Sequence, residues 1–259
     1  MSERDWQLSD FQDFTEDGFR TLLKALARGG YRFAAYGDAA DDRHVIWRHD
    51  IDMSVHRAAR LAQIEAEEGA FATYLVNPRC DFYNVLEPAI SDLLRGIRDL
   101  GHEIGLHFDS TRFGDTTWTR TTLVATLKKE KALLETILEH PVRVVSWHNP
   151  SLSNLMDFED EEIGGLCSAY SGPLRRDYTY CSDSNGYWRF RPMGEVIGEG
   201  HEKLHLLTHP VWWTPEVMTP SDRIDRAIQG RADRIRADYD HILGRSGREN
   251  VGSGINGTR

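Results

Sequence analysis

The feature that most restricts the fold of this chain is a repeated alternation of short apolar, β-rich runs with longer amphipathic segments. Residues 45–47, 71–76, 102–108 and 142–147 are nearly continuous in apolar or β-branched side chains, the pattern of strands covered on both faces. Between them, residues 54–68, 85–100 and about 119–139 repeat apolar positions at helical spacing, Leu123, Leu127, Leu133, Leu134, Ile137 and Leu138 being the inward set of the last. A further helix is expected at 16–28, after Thr15 as a cap and before Gly29-Gly30, followed by a strand at 31–36. Strands joined by helices through short connections must run parallel, with right-handed crossovers, so the fold class is α/β. The second half is less regular. Strands are expected at 178–181, 188–191 and 203–207, and Thr219-Pro220-Ser221-Asp222 opens a final helix reaching about Leu243. One domain is expected over 1–245, with a disordered tail over 246–259 that is rich in Gly, Ser and Asn.

A chain of 259 residues with 40% hydrophobic and 28% charged residues can bury a sizeable core. Its net charge of -10 argues against nucleic acid or an anionic membrane as the main partner. Met1-Ser2-Glu3-Arg4-Asp5 lacks the layout of a signal peptide and no apolar run is long enough to span a membrane, so a cytoplasmic location is expected. Cys80, Cys167 and Cys181 are odd in number and show no Cys-x-x-Cys spacing, which implies reduced thiols.

The chemistry collects at strand ends, where parallel α/β folds place their sites: His49, Asp50 and Asp52; His107 and Asp109; His148 and Asn149; and His209. Two carboxylates one residue apart at a buried strand end repel each other unless a metal or a proton-transfer task compensates. On a strand Asp50 and Asp52 share one face while His49 takes the other. Carboxylate and imidazole suit zinc and neighbouring divalent ions, and catalytic sites commonly have three protein ligands. Asp52, His107 and one more His would form that set, with Asp50 as the base and His209 left to protonate a leaving group. Plainer roles compete: Asp52 as a helix cap, His107 as a core histidine, His148 as a turn former, His209-Pro210 as a packing corner, and Trp147, Trp212 and Trp213 as core rather than a sugar-stacking wall.

Four stretches together look like the polysaccharide deacetylase family, carbohydrate esterase family four. They are Asp50-Ile51-Asp52 after an apolar strand, residues 71–76, Gly101-His102-Glu103-Ile104-Gly105-Leu106-His107, and Leu206-Leu207-Thr208-His209. The resemblance covers roughly 44–210, with the Gly-His-Glu-Ile-Gly-x-His string its most specific part. It implies a distorted (β/α) barrel of about seven parallel strands and metal-dependent removal of an N- or O-acetyl group from a sugar. Carried over, Asp50 is the base, Asp52 and His107 are metal ligands, and His209 is the acid.

The sequence departs from the family pattern in three places. Asp-Ile-Asp replaces adjacent aspartates, Thr111 stands where a second ligand His belongs, and Ser146-Trp147-His148-Asn149-Pro150 replaces an Arg-containing motif. The third ligand is therefore expected to be His148, with Asp109 and His56 as alternatives and zinc as the metal. These departures resemble a divergent branch associated with surface-polysaccharide biosynthesis. Arg48, His49, Asn149, Asp183, Asn185, Trp188 and Trp212 are the substrate-side candidates. Two other functions stay open: a metal-free hydrolase of cyclic amides on the same fold, and a sugar-binding relative without catalysis.

Overall fold

The computed structural model describes residues 5–38, 41–114 and 117–252. The expectations for the first four residues, for Ala39-Ala40 of the loop before the central strand, and for the tail beyond residue 252 lie outside them. Helix α1 (Glu16–Arg28) starts at Thr15, whose side chain accepts the Gly18 N–H, and leads to β1 (Arg32–Phe33). The central strand β2 (His44–Ile51) is buried along its whole length. It is followed by α2 (Val55–Glu67), β3 (Thr73–Val76), α3 (Pro88–Asp99), β4 (Glu103–Phe108), α4 (Arg120–Leu138) and β5 (Val144–Trp147). Ser54 rather than Asp52 caps α2, accepting the Arg57 N–H, which leaves the Asp52 carboxylate free for other partners.

The second half holds β6 (Glu162–Ile163), β7 (Leu166–Ser168), α5 (Gly172–Asp177), β8 (Thr179–Ser182), α6 (Met193–Gly198), β9 (Lys203–Thr208) and α7 (Pro220–Arg245). The sequence pattern did not show β6, β7, α5 or α6. Residues 188–191 form no strand, because Trp188 packs 4.6 Å from the Phe14 ring and donates to Asp13, holding the segment against the N-terminal part of the chain.

The strands hydrogen-bond in the order β6-β7-β5-β4-β3-β2-β9-β8. All neighbours are parallel except the β6–β7 hairpin, so seven strands form the parallel ladder expected. β1 pairs with His44 and Val45, and β3 with residues 48–51, while β9 covers β2 from His44 to His49. β1 and β3 thus share one side of β2 at its two ends. The ladder is open, since no pairing joins β6 to β8 among the described residues. Strand alternation sorts the core. Val45, Trp47 and Ile51 face the helices with Phe19 and Leu61, whereas Ile46, Leu75 and Val144 fill the concave side with Tyr36 and Ala169. Among the described residues no helix is long and apolar enough to cross a membrane, and all three cysteines are unpaired.

Candidate active site

Period-two alternation on β2 turns Arg48 and Asp50 to the concave side, and the chain beyond the strand brings Asp52 above them. His107 on β4, Ser146 on β5 and His148 just beyond β5 arrive from the neighbouring strands, because the β4–β5 register pairs His107 with Ser146. His107 Nε2 lies 3.1 Å and His148 Nδ1 3.3 Å from Asp52 Oδ1, and the two nitrogens are 3.0 Å apart. Burial opposes ionisation of Asp52, yet the two imidazoles hold its carboxyl well below the usual carboxylate range.

These three residues form a group able to hold a metal ion. Donors bonded at about 2.0–2.1 Å to a tetrahedral ion stand roughly 3.3 Å apart, close to the 3.0–3.3 Å edges seen here. Asp52 Oδ1 is buried without a partner in hydrogen-bonding geometry, as a ligand oxygen would be. His107 Nδ1 sits 2.6 Å from Ser146 Oγ, and the serine hydroxyl donates to Asp50 Oδ1 at 3.4 Å. That direction makes His107 Nδ1 the protonated nitrogen and leaves the Nε2 lone pair facing Asp52. His148 presents Nδ1 to the same centre, with its Nε2 2.9 Å from Asn149 Nδ2. The residues fit a divalent ion.

Asp50 is 2% exposed and lies 3.5 Å from Arg48 and 3.7 Å from His107 Nδ1. Arg48 is fully buried behind it, donates to the Tyr170 hydroxyl at 3.0 Å, and leaves Nε and Nη1 without partners. Burial opposes its charge, but Asp50 and the surrounding tyrosines keep the guanidinium protonated.

His209 closes the opposite wall. Its Nδ1 lies 2.5 Å from Asp183 Oδ1, its backbone N–H donates to Asp183 Oδ2 at 2.8 Å, and Nε2 is 3.7 Å from Asp52 Oδ2. Trp213 Nε1 also donates to Asp183, at 3.0 Å, so the carboxylate is fixed before it fixes the imidazole. Burial works against the charged ring, but the Asp183 carboxylate outweighs it and pushes the His209 pKa up to about 9.

Asp50, Asp52, His107, His148 and His209 thus meet in one place, and several other candidates do not join them. His49 faces the helices. Trp47 Nε1 donates to the Thr208 hydroxyl, Thr208 lies 2.6 Å from His49 Nδ1, and His49 Nε2 is 2.7 Å from Glu65, a carboxylate that also accepts from Tyr74. That network ties β2, β9 and α2 together and keeps His49 away from any substrate. Arg48, fully buried, lies beneath Asp50 rather than at the opening, and Asp183 serves His209. Asn149 is exposed with φ 44°, and Asn185 is exposed in a turn. Trp212 is half-buried and donates to the Ser184 carbonyl. Gly186, at φ +81°, closes this turn because a Cβ there would meet the Trp212 ring at 2.8 Å. Asp109 spends its carboxylate on Thr111 and Arg112, and His56 lies outside the ligand group.

Sequence reasoning missed Ser146 and the supporting role of Asp183. Ser146 stands two residues before His148 on the same strand face, which is the signal that would have found it.

No protein-family model matches the chain, and no curated protein does. Among solved structures, a family 4 acetyl xylan esterase from Clostridium thermocellum in complex with a cobalt ion is 16% identical, covering 72% of this chain and 84% of its own at a TM-score of 0.44. The peptidoglycan deacetylase PdaC from Bacillus subtilis is 14% identical over 75% of this chain and 85% of its own, with a TM-score of 0.43. A CE4 family pseudoenzyme from Bacillus anthracis is 16% identical over 76% of this chain, with a TM-score of 0.45. The chain spans 63% of the length of that pseudoenzyme.

Proposed function

We infer that the protein is a metal-dependent hydrolase that removes an acetyl group from an acetylated sugar or saccharide precursor. The observation that supports this reading best is the convergence of Asp52 Oδ1, His107 Nε2 and His148 Nδ1 within 3.0–3.3 Å of one another, with Asp50 and His209 beside them. Asp52, His107 and His148 would hold a divalent ion, zinc by the chemistry of the donors, which when bound lowers the pKa of water and polarises an acyl oxygen. Asp50 accepts the proton of the attacking water. Arg48 and the Ser146 hydroxyl hold its carboxylate in place. His209, protonated at neutral pH by its pairing with Asp183, gives its Nε2 proton to the departing amine or alcohol. Ser146 fixes the His107 tautomer, so one hydroxyl serves both the ligand and the base.

Elemental analysis of the purified protein beside Asp52→Ala, His107→Ala and His148→Ala tests the reading, together with acetate release from acetylated oligosaccharides. About one divalent ion per chain, lost in all three variants along with acetate release, is the expected result. No ion after reconstitution with zinc or cobalt would sink the metal mechanism. An ion with no acetate release from any acetylated sugar would sink the deacetylase reading.

A further inference from the structure

A groove of about 360 Å³ lies between the start of α2 and the first turns of α7. Its lining includes Met53 and Ser54, which follow Asp52 in the chain, and Val211 and Thr214, two and five residues after His209. Five arginines line it, Arg57, Arg223, Arg226, Arg231 and Arg234, together with His56, and no Asp or Glu does. In a chain of net charge -10 this concentration does not follow from composition. The carboxylates that hold these arginines stand outside the lining: Glu16 binds Arg57 at 2.7 Å, Glu216 binds Arg226 at 2.7 Å, Glu87 binds Arg231 at 2.5 Å and Asp238 binds Arg234 at 3.0 Å. Arg223 is 1% exposed and reaches only carbonyl and hydroxyl oxygens, at 3.3–3.5 Å. Four guanidiniums are thus each held by one carboxylate that is not in the lining, and Arg223 by carbonyl and hydroxyl oxygens, so the lining carries one more cation than the carboxylates holding it. His56 feels that field: burial, then Arg234 and Arg231, push its pKa down against the opposing pull of Glu87.

We propose that this groove binds the phosphate or diphosphate group of an anionic acetylated-sugar substrate, placing the sugar's acyl group at the Asp52–His107–His148 centre. The proposal rests on the deacetylase reading for the sugar, whereas the anion site stands on the groove alone. Guanidinium forks match phosphate oxygens in bidentate fashion, and a neutral glycan has no use for the four that are not fully buried, Arg57, Arg226, Arg231 and Arg234. The groove is within the usual size range of small-molecule sites. Nucleoside diphosphates and isoprenoid diphosphates share this chemistry.

Calorimetric titration of the metal-replete protein with inorganic pyrophosphate tests the site directly. Arg226→Glu/Arg231→Glu should weaken binding about ten- to hundredfold, the size of one or two lost charged hydrogen bonds. Gly230→Glu serves if that variant fails to fold: a Cβ at Gly230 meets nothing within 4 Å, so it adds a carboxylate to the groove without removing a partner. Arg236→Glu reverses one charge on α7 away from the lining and should leave pyrophosphate affinity within about twofold. Asp52→Ala, which removes a metal ligand, should keep pyrophosphate binding. That arm separates the two readings, since pyrophosphate held by the groove survives even if the metal mechanism is wrong. No binding at millimolar pyrophosphate, binding lost in Asp52→Ala but kept in the arginine variant, or equal losses in Arg236→Glu would each overturn the proposal. Uridine diphosphate or farnesyl diphosphate binding more tightly than pyrophosphate supports it and says which kind of carrier continues beyond the phosphates.

Discussion

Asp50 shows how much a single side chain depends on its neighbours. Its carboxylate is almost fully buried, which costs energy unless charge and hydrogen bonds compensate, and both Arg48 and Ser146 do so. Asp50→Asn keeps the shape and removes the proton acceptor, so turnover should fall by about two to four orders of magnitude while metal content stays near one per chain. Steady-state acetate release with elemental analysis on the same sample checks this; full activity in that variant would remove Asp50 from the mechanism. The five central residues were legible because each ends an apolar run, and strand ends of a parallel sheet converge. Arg48, Ser146 and Asp183 were less so. Their roles depend on which strand lies beside which, and sequence does not state that β5 brings Ser146 under His107 or that β8 brings Asp183 to His209.

At the level of elements, helices were read nearly to the residue where a polar cap and a closing Gly framed them, as in α1 between Thr15 and Gly29. The short elements of the second half escaped because two- and three-residue strands such as β6 and β7 carry too few side chains to show a period. Trp188 misled for another reason: an aromatic run reads as strand, yet its indole found Asp13 and Phe14 instead. β4 carries a constraint of its own. A Cβ at Gly105 would come within 2.4 Å of a Leu75 methyl and 2.9 Å of the Val144 carbonyl oxygen, so β3, β4 and β5 close up only around a glycine. Gly105→Ala should destabilise the protein by about 1–3 kcal/mol, the range for overpacking a core, and a melting curve unchanged from wild type would contradict this close fit.

For the whole molecule, the concave side of the sheet buries Arg48, Asp50 and His205 among its apolar side chains. His205 is buried against the Tyr36 hydroxyl at 2.7 Å, and burial together with the Arg48 charge pushes its pKa well below the ordinary value. The unfolded chain takes up a proton there near pH 6.5, whereas the folded chain does not. Its contribution to stability is therefore complete above about pH 6.5 and is lost as the pH falls below it, at up to about 1.4 kcal/mol per pH unit. His205→Gln keeps a polar partner for Tyr36 and removes the titration, so its melting temperature should decline less steeply than wild type between pH 7 and 5. Equal slopes would place the acid sensitivity elsewhere. The barrel was legible as a class, but its opening between β6 and β8 was not, because closure depends on strand tilt and stagger rather than on any local pattern.

That opening leaves the fold spare room. Asp52, His107 and His148 stand at the ends of β2, β4 and β5, all interior strands, so lengthening the connection between β7 and β8 would break no rung between the strands that carry them. Added surface at that joint would leave the Asp52–His107–His148 group on its strands.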